Sequence, residues 1–449
     1  MGIEVYSTHS LGIGGVIRQN VEDFIVEEVL VDGSKATVAE SVESTALGSN
    51  NIKNRYLLCV LVKRSWDTLA AVKAVADQLA ISMGRIDIAG LKDAKAVAAM
   101  HITIEGVSPE MVQKVKVKDL ELRSVGYVRN KLSAYYLLGN AFRISIGSIS
   151  NSKQTVSKRI TRILEELELV GGVPNFFGHQ RFGTTRSVTH LVGKAIVKGD
   201  FRKAAMLFLA KPGLHEHSAS RQARKELQKT QDFRQALQGF PKQLRYERLM
   251  LKRLAEEPDD YVGAFKRLPM KLQELFVQAY QSYLFNKFLS RRIANELKLN
   301  RAEVGDYVVR VQRSGLPMIA MQKTVTAATL AEINNAIVAG KMRVALPLTG
   351  FRQKISGGTQ GEIEKQILAD ERLNPESFKI NAMPMLTTRG ELRTAITPLN
   401  DFSLNGVFRD LTNPSRNKAN IGFTLHRGSY ATIVLRELMK TRNPIVAGF

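Results

Sequence analysis

The chain changes character twice along its length, and that change limits it to a mixed architecture. Up to Gly183, segments with strand pattern and segments with helix pattern alternate. Residues 187–297 read as nearly all helix. Residues 303–380 mix short strands with Gly-rich turns, and strand pattern returns at Glu391–Leu399 and Gly422–Arg436. The first region alone predicts an α+β or α/β domain. At 449 residues the chain exceeds what one compact core usually holds, so two domains are expected.

Local patterns fill in this outline. Residues 11–30 read as a hairpin-like strand region punctuated by Gly14-Gly15. Residues 55–63 are largely apolar and predict a strand. A helix follows from about Asp67, with Leu69, Val72, Val75, Ala76 and Leu79 at helical spacing and Ser65 as its cap. Residues 135–149 predict another strand, its alternation broken at Gly139-Asn140. Residues 153–169 predict an amphipathic helix. The longest helical run, Lys271–Leu297, carries Leu272, Leu275, Phe276, Ala279, Tyr283 and Phe288 along one stripe, which reads as a buried core face.

Composition narrows the function classes. A hydrophobic content of 44% argues for a folded chain. The 65 basic residues outnumber the 42 acidic ones, giving a net charge of +23. That surplus predicts a polyanionic partner, with nucleic acid ahead of an anionic membrane. No apolar stretch approaches the roughly 20 residues of a spanning helix, so no membrane span is expected. The N-terminus lacks a basic segment followed by an apolar core, so no secretory signal is read. Cys59 is the only cysteine, which excludes an internal disulfide and fits a reducing cytoplasm. It lies in an apolar run and reads as a core thiol, not a nucleophile. His215 and His217 share a face only on a strand, and no metal site is expected there. The turn Ser356-Gly357-Gly358-Thr359-Gln360-Gly361 has the glycines to cradle a phosphate but lacks the Lys-Ser/Thr ending of a P-loop.

The segment with the most chemical content is Ala89-Gly90-Leu91-Lys92-Asp93-Ala94-Lys95-Ala96. It places one carboxylate in a glycine-kinked turn between two short strand patterns, Met83–Ile88 and Val97–Ile104. Lys92 and Lys95 flank Asp93, which suits a carboxylate that stays ionised beside a polyanion. Taken alone, the segment also reads as an ordinary surface turn.

Three further segments give this turn its meaning. The first is Gly14-Gly15-Val16-Ile17-Arg18-Gln19-Asn20-Val21-Glu22-Asp23-Phe24. The second joins Gly139-Asn140-Ala141-Phe142 to Pro174-Asn175-Phe176-Phe177-Gly178-His179-Gln180-Arg181-Phe182-Gly183. The third is Leu425-His426-Arg427-Gly428-Ser429-Tyr430-Ala431-Thr432. A weaker match is Gln281-Ser282-Tyr283-Leu284-Phe285-Asn286. Together with the Asp93 turn, and in this order over nearly the whole chain, they resemble the TruD-type tRNA pseudouridine synthases, which act on uridine 13 of tRNA. The length and the long insertion resemble archaeal members of that family. Each match has a plainer reading beside it: Phe24, Phe142, Phe176 and Phe177 also suit a core, and Gly139 and Gly178 also suit turns.

The resemblance implies a fold and a chemistry. The fold is α+β: a pseudouridine synthase catalytic domain, with a mixed, largely antiparallel sheet and flanking helices, interrupted by an insertion domain. The catalytic domain would comprise 1–183 and 388–449, and the inserted domain 184–387. The implied reaction breaks the N1–C1′ bond of a flipped uridine and rejoins the base through C5, with no cofactor and no metal. Asp93 matches the catalytic Asp, acting either on C1′ as a nucleophile or on the 2′ proton. Arg18 matches the basic residue that keeps it ionised. Phe142 and Tyr430 fall at the uracil, Phe24 supports the pocket, and Asn140 bonds the uracil edge or orients Asp93. Glu22 and Asn175 are placed just behind these residues.

The chain departs from the family pattern in places. Val21 stands for a proline and Arg18 for a lysine, and Ala98 and Met100 replace a threonine and a glutamine that follow the Asp turn. The last two motivate an alternative, a non-catalytic RNA-binding protein on the same scaffold. A phosphate-loop nucleotidase using residues 356–361 is a more distant alternative.

Overall fold

The computed structural model describes residues 1–39, 44–48 and 55–449. Its centre is an eight-stranded sheet. The strands are β1 (Phe24–Leu30), β2 (Tyr56–Arg64), β3 (Ile86–Ile88), β4 (Val97–Glu105), β5 (Leu120–Val128) and β6 (Leu137–Ile149). After β7 (Val173–Pro174) come β8 (Tyr307–Val311), β9 (Pro317–Thr324), β10 (Met342–Leu348), β11 (Glu391–Thr394) and β12 (Ile396–Thr397). The last two are β13 (Asn400–Arg409) and β14 (Asn417–His426). The large sheet runs β13-β14-β6-β1-β4-β2-β5, with β3 paired on β4. Among the described residues only β1 and β4 lie parallel. A second sheet runs β11-β10-β8-β9, and β12 pairs with β7.

The large sheet is therefore split in sequence, because β13 and β14 join it from the far end of the chain. The link is the β6–β14 ladder, where Phe142 pairs with Phe423 and Gly139 with His426. Gly139 does not break β6, which continues through it. A Cβ at Gly139 would strike the Leu425 carbonyl, so glycine is what lets β14 approach. Helix Thr68–Gln78 covers one part of the sheet, burying Val72 and Val75 against Leu57, Leu61 and Met100. Asp67 caps this helix, accepting from the Leu69 and Ala70 amides. Ser65, the expected cap, lies two residues too early at φ +56°.

Two expectations are corrected. Residues 11–30 form no hairpin: only β1 is a strand. Residues before it run along the C-terminal segment, with the Ile13 amide donating to Leu438 O and the Ile17 amide to Ala447 O. Gly422–Arg436 is not one strand. β14 ends at His426, a turn follows at Gly428 (φ +80°), and Ala431–Met439 is a helix. The β-branched Thr432, Ile433 and Val434 gave a strand signal, but Ala431, Val434, Leu435 and Leu438 form a helical stripe that tertiary burial selects.

The block after Gly183 is helical as its pattern predicts, from Thr189–Val197 through the 25-residue helix Met270–Ala294. The glycine turn at 356–361 opens the helix Gly358–Asp370. Its amides serve the fold: Gly357 donates to Gly305 O (2.8 Å) and Ser356 to Glu364 Oε2 (2.7 Å). They are not held open for a phosphate.

Burial raises the pKa of Glu364 from its ordinary 4.5 to about 7, against the hydrogen bonds from Ser356 and Gln360. The folded chain then holds a proton that the unfolded chain has released. Stability from this group is full below about pH 4.5 and is lost as pH rises through about 7. The melting temperature should fall across that window, and Glu364→Gln should flatten the fall. The difference amounts to at most about 3 kcal/mol. An unchanged slope in scanning calorimetry would remove Glu364 as its source.

Candidate active site

β1, β6 and the turn after β14 meet at a cavity of about 250 Å³. Alternation along β1 sends Phe24 and Val26 to one face, and the β1–β6 register sets Val26 opposite Phe142. The Phe24 and Phe142 rings pack edge to face at 6.1 Å. Tyr430, the residue that starts the last helix, closes the opposite wall, packed edge-on against Phe177 at 6.1 Å. A Cβ at Gly178 would sit 2.8 Å from the Tyr430 ring, which accounts for a glycine there. Asp93 and Asn140 complete the expected lining.

Asp93 is 41% exposed, whereas Arg18 behind it is only 13% exposed. Arg18 Nη2 donates to Asp93 Oδ2 at 3.1 Å. Among the described residues no hydrogen bond reaches Oδ1. The Arg18 guanidinium lies 4.1 Å from the centre of the Phe24 ring and donates through Nη1 to Gly448 O (3.1 Å). Arg18 adopts φ +58°, a conformation costly for a side chain with a Cβ. Gly15 (φ +93°) prepares the approach: a Cβ there would meet Ile146 at 2.7 Å. Burial lowers the Arg18 pKa and Asp93 opposes that, but a guanidinium stays charged in any case.

The Asp93 turn is clamped on both sides. Lys63 Nζ donates to the Asp93 carbonyl (2.6 Å) and to Trp66 O (2.7 Å). Burial pulls the Lys63 pKa down to about 8. The Lys92 amide donates to Thr68 Oγ1, and that hydroxyl donates back to Lys92 O. Lys92 Nζ turns inward to Glu28 Oε1 at 2.6 Å, with both side chains essentially fully buried. Burial pushes the Glu28 pKa up, but Lys92 and His101 outweigh it and the net direction is down.

The other expected residues fall elsewhere. Glu22 is 66% exposed and faces Arg64 at 3.6 Å. Asn175 is buried one step away: its Oδ1 accepts from Arg393 Nη2 (2.6 Å), which also donates to Gly428 O (2.8 Å). It therefore supports the turn before Tyr430 through Arg393. Burial lowers the Arg393 pKa to about 10.

Sequence reasoning missed Lys92, Gln180, Arg427, Ser429 and Thr432 as lining residues. All five lie inside the quoted motifs, where a place in the pocket was read only for their neighbours. It also missed Lys63 and Glu28. A lysine closing an apolar strand and an acid inside one were their only signals. Asn286, in the weaker motif, bonds both the N–H and C=O of Phe177 and ties the long helix to this wall.

Residues 1–438 match the family model for tRNA pseudouridine synthase D (TruD). The chain belongs to the TruD family. A Methanosarcina acetivorans relative described as tRNA pseudouridine synthase D is 40% identical over 440 residues, covering 98% of this chain and 96% of the relative. A Thermococcus onnurineus relative is 39% identical, with 97% of each chain covered. The crystal structure of a TruD protein from Methanosarcina mazei superposes with a TM-score of 0.83 at 37% identity, over 99% of this chain and 97% of that one. The fold is thus the TruD pseudouridine synthase domain with its insertion domain, and the protein is a tRNA pseudouridine synthase, an isomerase.

The two departures that follow the Asp turn, Ala98 and Met100, lie in the core. Ala98 pairs with Val26 and Lys63 across the sheet and shares a buried cluster with Phe24, and Met100 pairs with Leu61 and shares a buried cluster with Leu57 and Cys59. Neither lines the cavity. The ground they offered for a non-catalytic reading is removed. No helix among the described residues is long and apolar enough to cross a membrane.

Proposed function

We propose that the 250 Å³ cavity takes uridine 13 of tRNA, flipped from its stack, and that Asp93 carries its isomerisation to pseudouridine. The observation that carries this reading is the Arg18–Asp93 pair at 3.1 Å on a cavity walled by Phe24, Phe142 and Tyr430. An ionised carboxylate with one oxygen held and one free is suited to attack C1′ or to remove the 2′ proton. Either route breaks N1–C1′ and frees the uracil to turn. The C5–C1′ bond then forms, the C5 proton leaves, and N1 takes a proton. Atoms and electrons balance without a redox partner.

Flipping costs a few kcal/mol, and stacking on the aromatic walls returns about 1–3 kcal/mol per base. Asn140 Oδ1 is buried with no hydrogen-bond partner among the described residues, so it is suited to accept from uracil N3–H. The inserted domain, which we place at about 184–387, forms the other side of the cleft for the rest of the tRNA. The +23 charge supplies the phosphate contacts.

Release of tritium from tRNA labelled at uridine C5 tests this reading, since each pseudouridine formed frees one tritium to water. One equivalent per tRNA is expected, and none from a transcript carrying U13→C. Full release from the U13→C transcript would refute the assignment of position 13. Affinity for tRNA should fall about 100-fold or more between about 50 and 200 mM salt. A filter-binding titration giving a flat response would show that phosphate contacts are not the source of affinity.

A further inference from the structure

A second cavity, of about 170 Å³, adjoins the first and shares Arg427 and Ser429 with it. It lies where the end of β14 meets the smaller sheet. His426 and Arg427 come from the end of β14, and Arg343 of β10 and Glu391 of β11 from the smaller sheet. Resting on the reading that uridine is bound at Asp93, we propose that this cavity receives a second nucleotide of the same tRNA, next to the reacting uridine, and reads its base.

The polar groups of this cavity are not all used by the fold. His426 is 7% exposed, and its Nδ1 has no hydrogen-bond partner among the described residues. Buried polar atoms are nearly always paired, so one left open beside a cavity marks the place of a ligand atom. Burial and the nearby Arg343 lower the His426 pKa to about 4, so the ring is neutral at pH 7. Its position is fixed by the β8–β9 turn. Gly315 there has φ +85°, and a Cβ on it would lie 2.6 Å from His426 Cε1.

Arg343 Nη1 donates to Gly315 O at 2.9 Å. Its Nε and Nη2 make no hydrogen bond among the described residues. A guanidinium with free donors matches a base edge that offers two acceptors, as guanine does. Arg393 and Arg427 also line the cavity, but Arg393 is engaged by Asn175 and Gly428 O and Arg427 by Ala134 O. With Glu391 on the same wall, a base is favoured over a phosphate. Covalent linkage to the bound uridine brings an adjacent nucleotide to this position at high effective concentration.

The test varies each nucleotide flanking the target uridine through all four bases and measures single-turnover pseudouridine formation. The wild-type enzyme should prefer one base at one flanking position by about tenfold or more. Arg343→Met and His426→Ala should each flatten that preference at the same position. A wild-type enzyme indifferent to its flanks would overturn the proposal. So would two folded variants that keep the preference, or that slow all transcripts equally.

A binding arm does not depend on turnover. Asp93→Asn enzyme is mixed with tRNA carrying 6-methylisoxanthopterin, a fluorescent guanine analogue that keeps the O6 acceptor, at the flanking positions. Fluorescence should rise at one position as the base unstacks, and the rise should be lost on adding Arg343→Met. No rise at any position would contradict the proposal. A wild-type enzyme inert on every transcript would refute the functional reading instead, and the fluorescence would still decide the second cavity.

Discussion

Asp93→Asn should reduce pseudouridine formation about 10⁴-fold or more while tRNA affinity stays within about threefold. Asparagine keeps the shape and leaves Arg18 an acceptor, so the cavity should persist. What is lost is the negative charge that both chemical routes require. The carboxylate makes its one side-chain hydrogen bond with Arg18, so its removal unties no wider network. The check is a single-turnover rate beside a binding isotherm for the same preparations. Comparable losses in rate and affinity would assign Asp93 to RNA binding and not to chemistry.

The second large effect concerns the support under that residue. Glu28→Ala leaves the Lys92 ammonium buried with its counter-charge removed. Breaking a buried pair in this way costs about 3–5 kcal/mol. The melting temperature should drop by several degrees, and activity should fall with it. The double variant Glu28→Leu with Lys92→Met separates the two effects. Replacing a buried pair with apolar residues is often neutral or stabilising, so stability should largely recover. Activity should not recover, because the tether that draws Lys92 inward beside Asp93 is gone. A double variant with wild-type turnover would show that Lys63 and Thr68 hold the turn without it.

The fold was legible where period and punctuation agree. The apolar run of β2, the helix after Asp67 and the long helix Met270–Ala294 all stand near their expected places. The failures have specific causes. Gly139 reads as a break when only its neighbours in sequence are known. Its true constraint is the Leu425 carbonyl, nearly 290 residues away. Thr432–Val434 carries strand propensity into a helix because a buried face outweighs local preference.

The site was legible to the extent that chemistry sits in rare residue types within motifs. Asp93, Phe24, Asn140, Phe142 and Tyr430 line one cavity, with Arg18 on the Asp. Glu22 shows the opposite case: an acid in the right motif sits in the short 3₁₀ turn Val21–Asp23 that precedes β1 and is left in solvent beside Arg64. Glu28, Lys63 and His426 were hidden. Glu28 and Lys63 are each bonded to a group that the chain brings close only on folding, and His426 meets Gly315 only there.

The measurement that bears most directly on the central claim is carbodiimide labelling of an unmodified tRNA transcript, read by primer extension. Wild-type and Asp93→Asn enzymes are run side by side. The account predicts a stop reporting position 13 with wild type and no stop with the variant. Binding of the transcript by both proteins with no stop from either, or an equal stop from both, would contradict it.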